Sequence, residues 1–98
     1  LQGNEQATLH LIAGRALYKK QKTKEAREQF TTAYDLRPKE IKVRLGLVQA
    51  INLQAHVAYS KGKRKEAVEH LGAAYKIDSK SALTNQNLAV PETARLSQ

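Results

Sequence analysis

The stretch Tyr18–Tyr34, YKKQKTKEAREQFTTAY, is written a second time as Tyr59–Tyr75, YSKGKRKEAVEHLGAAY. The two align without a gap at an offset of 41 residues and share nine positions, among them Lys24/Lys65, Glu25/Glu66, Ala26/Ala67, Ala33/Ala74 and both pairs of tyrosines. Self-similarity at a fixed period of this size marks an architecture of stacked units, each of which buries its apolar face against a neighbour. Such an object is a surface for binding, and the repeat alone does not say what is bound.

Helical periodicity runs through both copies. From about Glu5 to Gln21, Leu9, Ile12, Ala13, Ala16 and Leu17 recur at spacings of three and four, with Leu11 alongside, which predicts that this stripe is buried. Thr23 is placed to cap a second helix, about Lys24 to Leu36, with Ala26, Phe30, Ala33 and Tyr34 inward and Arg37–Pro38 as its stop. A long third helix, about Lys39 to Ser60, is expected to bury Ile41, Leu45, Val48, Ile51, Ala55 and Ala58, with Gly46 a weak point costing about 1 kcal/mol. Gly62 stands where a helix ends in a left-handed residue. The fourth helix covers about Arg64 to Ile77 with Ala67, Leu71 and Ala74 inward. A short fifth is expected within Ser81–Val90, ended by Pro91, ahead of a loose tail. The composition agrees with an all-α chain: Ala and Leu carry most of the apolar share, and only 5% of residues are aromatic.

The tight turns make each pair an antiparallel hairpin. Close approach within a hairpin needs small residues, and Gly14, Ala26 and Ala33 in the first unit answer to Ala55, Ala67 and Ala74 in the second. With Phe30 and Leu71 between them and Pro38 closing the first unit, the pattern resembles the tetratricopeptide repeat. The resemblance spans about Ala7 to Val90 and implies a short solenoid: one domain with a first repeat at about 7–38, a second at 39–79 and a partial third at 80–90 before the 91–98 tail. A plain helix bundle and a pentatricopeptide reader of RNA are the competing readings, which the Ala/Phe/Ala placing and Pro38 suit less well. His10 and Ile51 stand where the family has Trp, and Ser79 replaces the second closing proline. The family repeats at 34 residues. The offset of 41 therefore inserts seven, about two turns, which lengthen the third helix without rotating its face.

The resemblance implies a protein–protein interaction module of a larger protein, docking a peptide or helix in a concave groove. Mapped onto this sequence, the groove presents Thr8, Leu11, Arg15, Tyr18 and Lys19, then Gln49, Asn52, His56 and Tyr59. Some members grip a chaperone's C-terminal carboxylate with paired Lys and Asn. Here Leu11, Arg15 and His56 stand at the matching positions, so no such clamp is expected.

Other features bear on partners. The net charge of +8 favours acidic ones. Lys20, Lys22 and Lys24 at one hairpin turn and Lys61, Lys63, Arg64 and Lys65 at the other should form one basic edge, which nucleic acid or an anionic membrane surface would read as a secondary option. Val43 and Leu47, on a second line of the lengthened helix, need cover, either from the first helix or the tail folding over them or from a contact outside the fragment; self-association through them or through the open solenoid end is the alternative to groove docking. No catalytic set stands out: His10, His56 and His70 lack metal-ligand spacing, no Cys is present, and neither a cofactor nor enzymatic activity is expected. Without Met, even at position 1, the chain reads as part of a longer parent. Its start resembles no signal peptide, and the compartment stays open.

Overall fold

Two turns built from the same hydrogen bonds set the architecture. Lys22 N donates to Leu17 O at 3.0 Å and Gln21 N to Tyr18 O at 2.9 Å; 41 residues on, Lys63 N donates to Ala58 O at 2.8 Å and Gly62 N to Tyr59 O at 3.0 Å. A bond spanning five residues enclosing one spanning three is the Schellman closure, which needs a left-handed residue just past the helix end. Gly62 fills that position with φ 78° and Gln21 with φ 61°. Each closure reverses the chain within three residues and starts the next helix at once.

The structure, a computed structural model, describes residues 2–78. They form α1 (Gln2–Lys19), α2 (Thr23–Leu36), α3 (Ile41–Ser60) and α4 (Arg64–Ile77), with no strand among the described residues. The chain is all-α: α1 pairs with α2, α3 with α4, and α2 packs on α3 to stack the hairpins. The expected fifth helix, partial third repeat and tail lie outside the described residues. Helix ends differ from expectation in three helices: α1 runs Gln2–Lys19 where about Glu5–Gln21 is expected. Pro38–Lys39 form a turn, so α3 starts at Ile41 and not at Lys39. Thr23 is the first residue of α2 and caps nothing; Lys22 holds the cap position, with its carbonyl accepting from Ala26 N.

The small residues expected at the seams are buried: Ala26, Ala33 and Ala74 are fully covered, and Ala67 and Ala55 nearly so. Phe30 is the largest of the buried side chains, and its ring lies against two glycines at once. A Cβ built on Gly14 or on Gly46 would stand 2.7 Å from Phe30 Cε1. Two helices thus approach one ring from opposite hairpins only because neither carries a side chain there.

Two of the expected stripes are displaced. In α1 the buried line is Ala7, Leu11 and Gly14, while Leu9 and Ile12 are 66% and 57% exposed. The seam is marked by small residues, because closeness to α2 is what it requires. The bulky stripe lies on the side of α1 that corresponds, 41 residues on, to Ala50, Leu53, Gln54 and Val57 of α3, the side α3 turns to α2. No helix of the described residues covers it in α1. In α3, Val43 and Leu47 are each 2% exposed, whereas Ile41 is 62% and Leu45 36% exposed, the reverse of the expectation. The cause is a difference in length. α3 has 20 residues and α4 has 14, so the first turns of α3 overhang the end of α4. Ile41 and Leu45, on the α4 side, lose their cover, while Val43 and Leu47 face the first hairpin. A pairing of copies through Val43 and Leu47 is therefore closed off: their side chains are already enclosed within the chain.

Candidate functional site

The inserted turns of α3 stand opposite the first half of α1, and a cleft of about 410 Å³ opens between them. Its α1 wall is Ala7, Thr8, Leu11, Ile12 and Arg15. The facing wall is Arg37, Glu40, Lys42 and Val43, from the interhelix turn and the start of α3. Ala7, Leu11 and Val43 are buried and make an apolar floor; Thr8, Arg15, Arg37, Glu40 and Lys42 are exposed around it. The wall from α3 is braced by Arg44, whose Nη1 donates to Pro38 O at 3.3 Å and whose Nε lies 3.8 Å from Asp78 Oδ2. Arg44 thus ties the turn before α3 to the residue after α4.

Of the residues expected in the groove, three line this cleft: Thr8, Leu11 and Arg15. Lys19, Gln49 and His56 are exposed elsewhere on α1 and α3. Tyr18 packs against the core and Tyr59 is half-buried. Asn52 is a correction. It is 5% exposed, its Nδ2 donates to Val48 O at 3.0 Å, and its Oδ1 is buried without a hydrogen-bond partner. It occupies the position that Leu11 holds in α1, an inward one in both units, so the groove cannot present it. Leu11, also buried, contributes floor and not an accessible contact. The sequence reading missed Arg37, Glu40, Lys42 and Val43. For Glu40, Lys42 and Val43 the available signal was the insertion itself, KEIKVRL, which alternates charged and apolar residues from Glu40 on; Arg37 lies before it.

The hairpins are locked in register by a polar contact between them. Arg27 Nη1 donates to Gln54 Oε1 at 2.7 Å and to His70 Nδ1 at 3.1 Å, joining α2 to α3 and α4. Burial pulls the Arg27 guanidinium below its usual range, and it stays charged at neutral pH. Within the first hairpin, His10 Nδ1 donates to Gln29 Oε1 at 2.7 Å. Two of the three histidines are therefore engaged in ties between helices. Among the described residues no group of three metal-ligating side chains comes together, and no helix is long and apolar enough to cross a membrane.

Thr23 from the first turn and Lys61 and Lys63 from the second line one shallow cleft of about 180 Å³. Lys20, Lys22, Lys24, Lys61, Lys63, Arg64 and Lys65 are all exposed, and Lys63 Nζ reaches Glu66 Oε2 only at 4.0 Å.

Stacked antiparallel hairpins with an open face on the first helix of each define a helical-repeat interaction module. The tetratricopeptide repeat family model matches residues 7–40 and 48–81, more than half of the chain, and the protein belongs to that family, whose repeats are protein–protein interaction modules. The matches leave residues 41–47 between them, the two turns by which α3 overhangs α4. Comparison with curated proteins and with solved structures gave no match.

Proposed function

We propose that this chain docks a peptide or helix of another protein on the groove formed by α1 and α3, as an interaction module without catalysis. The observation that carries the reading is the cleft between α1 and the inserted turns, where an apolar floor is rimmed by exposed polar groups. Largely apolar concavities with a few convergent polar groups are where proteins take ligands. The test is to select peptides against the protein and map them by backbone amide shifts. Binders that perturb Thr8, Arg15, Gln49 or His56 support the groove. Binders that perturb only the outer faces of α2 and α4 overturn it.

A second reading rests on α1. Leu9 and Ile12, 66% and 57% exposed, form an apolar face with Ala16, and a second copy of the chain is the occupant it fits. Glu5 lies before this face on the helix and Lys19 and Lys20 after it, so antiparallel pairing of two α1 helices sets Glu5 of each copy near the lysines of the other. Such a contact is isologous, the same patch on both copies. Sedimentation across a dilution series tests it: mass that falls on dilution, and is monomeric throughout for Leu9→Glu/Ile12→Glu, supports pairing. A wild type monomeric at every concentration rules it out.

A further inference from the structure

We infer that the cleft between α1 and the inserted turns of α3 is specific for an acidic segment of a partner protein, an apolar side chain packed on Ile12 with side-chain carboxylates on either side of it. The inference rests on the groove reading above and adds the chemistry of the occupant.

Charge is the first argument. Arg15, Arg37 and Lys42 surround the cleft, and Glu40 is its only carboxylate. None of the three cations takes part in an ion pair within 4.0 Å among the described residues; the pairs formed are Arg44–Asp78 and Lys63–Glu66. Arg44 shows the contrast. It comes from the same insertion as Lys42, yet it is spent on Pro38 O and Asp78. Three cations around one opening that form no ion pair among the described residues, against the single carboxylate of Glu40, favour an incoming anion, and a guanidinium takes a carboxylate through paired, charge-assisted hydrogen bonds.

The floor is the second argument. Ala7, Leu11 and Val43 are 4%, 9% and 2% exposed, and Ile12 stands half open at the rim. The floor is already covered within the chain, and Ile12 is the apolar surface left open at the cleft: a ligand that offered charge alone would leave it wet, whereas an apolar side chain between carboxylates covers it. A phosphodiester backbone has no group to seat there, so nucleic acid fits the Lys20–Lys65 edge better than this cleft. The volume of about 410 Å³ lies in the ordinary range of ligand pockets.

The insertion is the third. Lys42 and Val43 fall within residues 41–47, between the two family matches. A repeat of ordinary length lacks the part of the wall that Lys42 and Val43 supply. The selectivity therefore belongs to this longer second unit.

Capped peptides with a central Leu flanked on both sides by Glu, by Gln or by Lys, and a Glu-flanked peptide with Ser at the centre, are titrated against the 98-residue chain. Fluorescence anisotropy reads affinity and amide shifts read position. The Glu-flanked Leu peptide is expected to bind about tenfold or more tighter than each of the others, to shift Thr8, Leu11 and Val43, and to lose that advantage in Arg37→Glu/Lys42→Glu. Both substituted residues are exposed, and an unchanged thermal midpoint shows the variant folded. Equal binding of the Glu- and Gln-flanked peptides, or an advantage that survives the double variant, overturns the inference. If charge-blind binding then shifts Gln49 and His56, groove docking stands and only the acidic specificity falls. If shifts appear only along the Lys20–Lys65 edge, both fall. Displacement of the peptide from Thr8 and Val43 by single-stranded DNA at equal affinity also overturns it, in favour of a general polyanion site.

Discussion

Gly46 faces the ring of Phe30 so closely that a Cβ on it would stand 2.7 Å from Cε1. Gly46 lies mid-helix, where exchange for Ala ordinarily gains about 1 kcal/mol. Here the gain is outweighed, because the α1 backbone at Gly14 is as near, a Cβ built there also standing 2.7 Å from Cε1, and the ring has little room to retreat. Gly46→Ala is expected to lower stability by about 1–3 kcal/mol, the usual cost of overpacking. Gly72 on α4 is the control: a Cβ there meets nothing within 4 Å. Gly72→Ala should raise stability by about 0.5–1 kcal/mol. Urea midpoints of the two variants, moving in opposite directions, check the argument; a stabilised Gly46→Ala would show that Phe30 is not confined.

Gln21 and Gly62 hold the same left-handed position in the two hairpin turns, with φ 61° and 78°. A side chain there costs about 1–2 kcal/mol where glycine costs nothing. Gln21→Gly should therefore stabilise and Gly62→Gln destabilise, by similar amounts of about 1 kcal/mol. Nothing lies within 4 Å of a Cβ on Gly62, so the effect is one of backbone and not of crowding. Thermal melts of the two single variants test it, and a Gly62→Gln protein as stable as wild type would refute the strain argument.

The repeat made some of this legible and hid the rest. Ala26, Ala33, Ala67 and Ala74 were identified as buried because a small residue recurring in two copies marks a seam. In α1 large apolar residues do not mark the inward face: Leu9 and Ile12 face a side that nothing in the described residues covers. The inserted turns were misread because the α4-facing stripe Val48, Ile51, Ala55 and Ala58 was extended backward past the end of α4. Periodicity gives the direction of a helix face, and the length of the neighbouring helix decides where that face stops being covered. The cleft was half visible for the same reason: Thr8, Leu11 and Arg15 lie at groove positions of the first helix, while Arg37 and Glu40 belong to the turn after the second helix, and Lys42 and Val43 to the insertion between the two family matches.

That difference between Ile41 and Leu47 can be measured. Leu47 is 2% exposed and Ile41 62%. Leu47→Ala should cost about 2–5 kcal/mol, as for other buried leucines. Ile41→Ala should stay within about 0.5 kcal/mol of wild type. Equilibrium denaturation distinguishes the two assignments, since the sequence-based face predicts the larger loss at Ile41.

Arg27 joins three helices through one nitrogen, with Gln54 Oε1 at 2.7 Å and His70 Nδ1 at 3.1 Å. Its counterpart 41 residues on is Val68, which is 66% exposed, so the tie exists once among the described residues, between the first hairpin and the second. In a stacked repeat, stability is the sum of each unit's own and a term for each interface. Removing Arg27 should act on the interface term. A hydrogen bond from a charged donor contributes about 1.5–3 kcal/mol, and this one is half-buried, so Arg27→Ala is expected to cost about 2 kcal/mol. The loss should be shared with Gln54: Arg27→Ala and Gln54→Ala together should cost less than their sum by about 1 kcal/mol, the coupling expected of residues in one network. Because the two hairpins would then unfold less as one unit, the urea dependence of Arg27→Ala should also flatten relative to wild type. Full additivity in the double-mutant cycle, with an unchanged slope, would mean that the hairpins are held by the packing of Phe30 and its glycines alone.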